Sequence, residues 1–222
     1  MVASNRLPCG NLLPMRRFAL FLIALAGACS SNTVLVQVPP RMDLKPYATI
    51  GIVEFGSNSE RAVNAHATRQ FQEQVQAAQP GTRFIELGER QSVLAAVGGR
   101  ELDLNALKKI GQKYGVDAVF VGDIAYSEPR TDVKIADLQR LEGGLRSEVR
   151  GDISSRLLET ASGASVWSSS AWARRQLGAV SVSAEHGVSG SVSKSNPRDD
   201  MVPALVYHLT QDFRPTSVRQ PK

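Results

Sequence analysis

Asp117-Ala118-Val119-Phe120-Val121-Gly122-Asp123-Ile124-Ala125 is the stretch on which the reading of the fold turns. It is a near-continuous apolar run with one carboxylate at its start and one near its end. A run of that kind, rich in β-branched and aromatic residues, is a strand buried on both faces. Upstream, Leu104, Leu107, Ile110 and Tyr114 recur at helical spacing, and Gly115 closes the helix. Glu89 to Val97 is a shorter helix stopped by Gly98-Gly99, and Thr82 to Leu87 is a short strand. Val63, Ala67, Phe71, Val75 and Ala78 mark one face of a longer helix that follows Ser59 and ends at Pro80-Gly81. Tyr47 to Phe55, with Ile50, Ile52, Val53 and Phe55, is another buried strand. Strand, helix, strand, two helices, strand is the rhythm of an α/β (α+β) fold, a mixed sheet with helices packed on it.

After Tyr126 the period changes. Leu145, Val149, Ile153 and Leu157 fall on one side, and Arg146, Glu148, Arg150, Asp152 and Arg156 on the other. That alternation is an antiparallel strand with one wet face. Glu159 to Gly163 is a turn, and Ser165 to Arg174 returns as a second strand carrying Trp167 and Trp172. The pair predicts a long hairpin. The two tryptophans are five apart and therefore on opposite faces. Asn196-Pro197 has the form of a helix start, with the cap residue followed by proline at the first position. Met201, Leu205, Leu209 and Phe213 supply the apolar stripe of a C-terminal helix ended by Pro215.

The amino terminus has a separate logic. Met15-Arg16-Arg17 is a short positive region, Phe18 to Leu25 an apolar core of eight residues, and Ala26-Gly27-Ala28 a run of small residues before Cys29. Charge, short apolar core and small residues, in that order, are a secretory signal. The apolar run is too short for a span, which takes about 20 residues. The expected organisation is a signal over 1–28, with Met15 as the start the signal needs, a lipidated tether over 29–46, one domain over 47–214, and a flexible tail over 215–222. The tether contains the strand-like Thr33 to Val38 and then Pro39-Pro40.

The whole sequence carries a net charge of +5. Removing Arg6, Arg16 and Arg17 with the signal leaves 23 basic against 21 acidic residues, or +2. Basic residues are scattered, so a nucleic-acid partner, which needs a sustained basic face, is not expected. Cys9 precedes Met15, and Cys29 is consumed by lipidation, so neither a disulfide nor a thiol nucleophile is expected in the mature chain.

Catalytic constellations were sought by residue type and spacing. His66, His186 and His208 have no metal-like spacing, and surface or structural roles are expected for each. Ser191-Val192-Ser193-Lys194 has the S-x-x-K form of penicillin-recognising enzymes. It stands in a serine-rich strand context without the partner motifs, and chance accounts for it. Asp117, Asp123 and Asp152 are separate strand carboxylates rather than an acid–base pair. No metal and no cofactor are called for.

The residues around Cys29 resemble a bacterial lipobox, with Ala26 where such boxes usually carry leucine. By the sorting habit of such lipoproteins, Ser30 after the cysteine implies the outer membrane, with the inner membrane as the open alternative. Further on, Lys45-Pro46-Tyr47 to Phe55, Phe84 to Leu87 with Glu89-Arg90, Tyr114 to Gly122, and Leu157 to Trp167 together resemble the curli-secretion lipoproteins (CsgG-like). Their relatives share a domain similar to the amino-terminal part of the translocation protein TolB, and include lipoprotein activators of penicillin-binding proteins. The resemblance covers roughly Lys45 to Phe213 and implies a membrane-anchored, non-enzymatic lipoprotein on the periplasmic side of the outer membrane, with other envelope proteins or further copies of itself as partners. Two narrower outcomes stay open. The curli channel inserts two hairpins per subunit into a membrane barrel. Here Ser127 to Ser147 offers no clean apolar face, whereas Val180, Val182, Val188 and Val192 alternate with small and polar residues over a hairpin between Leu177 and Ser195. That hairpin either extends the sheet in water or meets a partner or membrane; its short arms and small side chains favour the first. The alternative of another class is an envelope hydrolase, for which no nucleophile or acid–base set is found.

Overall fold

The computed structural model describes residues 33–137, 142–183, 187–192 and 196–221. Cys29 and the signal residues lie outside them. The chain divides into two compact units. In the smaller, β1 (Thr33–Val38) is paired with a strand from the chain's other end, Thr216–Pro221. The residues read as a loose tail are thus a strand here. Valines at 34, 36, 38 and 218 among polar residues have the composition that favours extended pairing.

The larger unit spans Pro39–Thr216. It begins with β2 (Ile50–Val53) and β3 (Gly56–Ser57), followed by α1 (Arg61–Ala78), β4 (Phe84–Gly88), α2 (Arg90–Ala96), α3 (Leu104–Tyr114) and β5 (Ala118–Tyr126). Then come β6 (Arg130–Asp137), β7 (Glu142–Glu159), β8 (Ser165–Ser183), β9 (Gly187–Val192) and α4 (Pro197–Leu209), and a single 3-10 turn leads to the strand Thr216–Pro221, β10. The eight-stranded sheet runs in the order β4-β2-β5-β7-β8-β9, with β3 on β5 and β6 on β7. β2, β3, β4 and β5 pair in parallel, and β5 through β9 pair antiparallel. The expected mixed sheet with helices, long hairpin and C-terminal helix is the fold observed.

The caps explain where the helices lie. Asp103 accepts the Ala106 N–H at 2.7 Å to start α3, and Gly115, at φ 64°, stops it in the left-handed region that a side chain disfavours. Asn196 accepts the Arg198 N–H at 3.1 Å, with Pro197 at the first position of α4.

The sheet separates two cores. On one face α1 and α4 bury an aromatic cluster, in which Phe120 lies 5.0 Å from Phe71 and 5.8 Å from both Trp167 and Phe213 between ring centroids. Edge-on approaches of this kind add to plain area burial. Gly122 makes room for it, because a Cβ there would stand 2.5 Å from the Phe55 ring. On the other face Val93, Leu107 and Ile110 of α2 and α3 close over Val53, Val119 and Val121. Residues 39–46, read as tether, are partly folded into this unit. Leu44 is buried, and the Gln79 side chain accepts its N–H at 2.8 Å.

Three features of the second half differ from the sequence reading. β8 does not stop at Arg174 but runs to Ser183, with Leu177 expelled as a bulge between Gln176 and Gly178. The hairpin assigned to Leu177 onward therefore shares its first arm with the long hairpin. β6 folds back on the first half of β7. The β6–β9 portion thus makes a four-stranded antiparallel extension of the sheet.

Candidate functional site

The extension presents two chemically different faces, because residues directly opposed across antiparallel strands lie on the same side. Val133 opposes Leu145, Leu145 opposes Val180, and Val180 opposes Gly190. Val182 opposes Gly143 on one side and Val188 on the other, and Val192 opposes Gly178. Positions 133, 145, 180, 182, 188 and 192 therefore fall on one face. By alternation along β7 it is the face that buries Val149, Ile153 and Leu157 nearer the helices. Beyond the helices it is open: Val133 is 66% exposed and Leu145 44%. Isolated exposed apolar side chains are ordinary, but Val133, Leu145 and Val180 aligned on neighbouring strands form a surface that water covers at a cost. A single-strand reading of residues 127–147 misses this face, since Val133 stands between Asp132 and Lys134 and acquires company only through register.

Among the described residues, nothing pairs with the outer edge of the extension. β9 reads Gly-Val-Ser-Gly-Ser-Val, without charge or proline. Edge strands in soluble proteins are usually guarded by those residues.

The opposite face of β7 and β8 is polar. Trp172, across from Asp152, is 57% exposed, and the guanidinium carbons of Arg150 and Arg174 lie 5.1 and 5.4 Å from its ring centre. The Asp152 carboxylate accepts from Arg150 and raises its pKa further. Trp167 faces the core, with its indole N–H donated to Asp212 at 3.2 Å.

The candidate catalytic residues are not brought together. The Asp117 carboxylate accepts the backbone N–H groups of Ala48 and Thr49, at 2.7 and 3.1 Å, and so ties β5 to the entry of β2. Asp123 is held by Arg90 at 2.9 Å, and Asp152 by Arg150. His66 joins Asp199 at 2.7 Å between α1 and α4, and His208 meets Gln211 at 3.1 Å. Among the described residues no group of three or more metal-binding side chains occurs. Ser191 is a β9 residue opposite Ala179; His186 and Lys194 lie outside the described residues, as does Cys29. No described helix is long and apolar enough to cross a membrane.

The class defined by these observations is an α+β domain whose sheet is prolonged beyond its helices as an amphipathic, open-edged extension. Among solved structures, the chain is similar to the PelC dodecamer from Paraburkholderia phytofirmans (13% identity, TM-score 0.39), with 82% of this chain and 97% of that one covered. It is similar to the lipoprotein GNA1162 from Neisseria meningitidis (20% identity, TM-score 0.37), with 58% and 83% covered. It is also similar to the LpoB C-terminal domain from Escherichia coli (10% identity, TM-score 0.32), with 69% and 93% covered. No protein-family model matches the chain, and no curated protein sequence matches it.

Proposed function

We propose that this chain is a non-enzymatic lipoprotein, anchored through Cys29 to the outer membrane on its periplasmic side, that assembles with other proteins of the cell envelope. The observation that carries the assembly reading is the aligned face of exposed Val133 and Leu145 and half-buried Val180 beside an edge strand without charge or proline. Apolar surface in that arrangement is stabilised by a partner, and the free backbone groups of an edge accept one. Anchoring is supported by the order of charge, apolar core, small residues and cysteine over 15–29. A non-enzymatic role is supported by the dispersal of Asp117, Asp123 and Asp152, each engaged in its own structural contact.

A photo-crosslinking residue in place of Leu145, activated in cells, tests the assembly reading. The expected result is a discrete crosslinked protein species that disappears when Val180→Asp is added. Crosslinks to nothing, or crosslinks indifferent to Val180→Asp, overturn it.

The second reading is a subunit of a curli-type secretion channel. Four strands with one apolar and one polar face favour it. Strand length weighs against it: among the described residues β6 has eight and β9 six, against the ~9–11 a spanning strand takes. Light scattering of the detergent-extracted protein separates the two. A large ring supports the channel, and a monomer removes it.

A further inference from the structure

A cleft of about 690 Å³ lies where the chain enters the larger unit, between residues 39–48, the end of α1 and Pro215. Its size is that of a small-molecule site. Pro39, Pro40, Pro80 and Pro215 form much of its wall, alongside the Tyr47 ring and Ala48. The frame is fixed by one side chain: the Gln79 amide accepts from the Leu44 N–H at 2.8 Å and donates to the carbonyls of Met42 and Phe213, at 2.5 and 3.2 Å.

The chemistry of the wall decides what can enter. Proline has no N–H to offer. Four other backbone donors of the wall are already used: Lys45 by the Asp43 carboxylate at 3.0 Å, Tyr47 by the Leu44 carbonyl at 3.0 Å, Ala48 by Asp117 at 2.7 Å, and Thr82 by the Gln79 carbonyl at 3.4 Å. A peptide placed here would find few of the wall's backbone donors for its carbonyls, whereas hydrocarbon loses nothing. Beside the Asp43 carboxylate, whose Oδ1 accepts the Lys45 N–H, two side-chain donors stand at the rim. The exposed Lys45 ammonium has no ion pair among the described residues, and the Tyr47 hydroxyl has no hydrogen bond among them. Burial, and then the charge of Glu159, raise the pKa of Tyr47 and keep it a donor.

We infer that this cleft binds a single acyl chain with an anionic head, the hydrocarbon against the prolines and the head at Lys45 and Tyr47. A fatty acid and a lysophospholipid share that chemistry. The setting fits, because only residues 30–38 separate Pro39 from Cys29 along the chain. That last point rests on the proposed lipid anchor; the lining of the cleft does not.

The test is a fluorescence titration of the purified full chain with cis-parinaric acid, then displacement by palmitate or by lysophosphatidylglycerol. The chain carries Cys29→Ser, so that no acyl group of its own competes. Saturable one-to-one binding is expected, displaced by either lipid; the more effective one identifies the source. Ala48→Trp, from an exposed wall position, should abolish binding with the circular dichroism unchanged. Lys45→Glu should weaken it roughly three- to tenfold, as loss of an exposed charge partner does. Absence of saturable binding, binding that survives Ala48→Trp, or displacement by a proline-rich peptide instead of lipid each overturns the inference. None of these outcomes bears on whether the unmutated protein is labelled with palmitate, which tests the anchor separately.

Discussion

Leu145 of β7 stands directly opposite Val180 of β8, three pairs beyond the Leu177 bulge; Leu145 is exposed and Val180 half-buried. The pair sits at the centre of the proposed assembly face. Leu145→Ser with Val180→Asp should leave the domain folded, because Leu145 is exposed and Val180, half-buried, lies outside the buried core, so the pair should cost no more than about 2 kcal/mol. The protein crosslinked through position 145 in cells is expected to co-purify with the unsubstituted chain and not with the double variant, at a melting temperature lowered by only a few degrees. Equal co-purification with both would remove this face from the account.

The aromatic core predicts the opposite balance. Phe120 is fully buried and meets Phe71, Phe84, Trp167 and Phe213. Phe120→Ala should cost about 3–5 kcal/mol in urea unfolding, since a large cavity opens between the sheet and both helices. A loss under 1 kcal/mol would mean that the cluster does not hold the two layers together.

Tyr126 gives the fold a pH dependence on the alkaline side. Burial, then the charge of Asp199, raise its pKa from 10.0 to about 12, against a smaller lowering by Arg198. The folded state therefore keeps this proton when the unfolded chain has begun to lose it. Its contribution is complete below pH 10 and is lost as pH rises towards 12. Tyr126→Phe should flatten the decline of stability over that interval. At neutral pH it should cost about 1 kcal/mol, through loss of the hydroxyl donated to the Arg198 carbonyl. An unaltered alkaline slope would contradict the assignment.

Two tryptophans in opposite environments should be separable by quenching. Trp172 is 57% exposed and Trp167 8%. Acrylamide should quench one component of the emission readily and the other poorly, and Trp172→Phe should remove the readily quenched one. The neighbouring Arg150 and Arg174 should make iodide a better quencher of Trp172 than caesium. The reverse preference would show that the arginines do not set the local field.

Much of the fold is legible in the sequence where local signals and burial agree. Asp117 to Ala125 announces β5 because a strand covered on both faces needs no alternation. Asn196-Pro197 announces α4 because cap and proline act within one turn. The open face is less legible, for a physical reason. Val133 means little between Asp132 and Lys134 until register sets it against Leu145, and register is a property of two strands. Leu177-Gly178 has the composition of a boundary, yet pairing with β7 carries β8 through it as a bulge. The polar face is half legible: the spacing of Trp167 and Trp172 predicts opposite sides, while the arginines around Trp172 come partly from the neighbouring strand. The cleft is the least legible, since its wall gathers residues 39–48, 78–82 and 215 around the Gln79 amide.

The proposed anchor bears most of the functional account, and one measurement reaches it directly. Cells expressing the unsubstituted chain or Cys29→Ser are fed labelled palmitate, and their membrane and soluble fractions are separated. The account predicts label and membrane association for the unsubstituted chain, and neither for Cys29→Ser. A Cys29→Ser protein that still takes up palmitate and fractionates with membranes would contradict it.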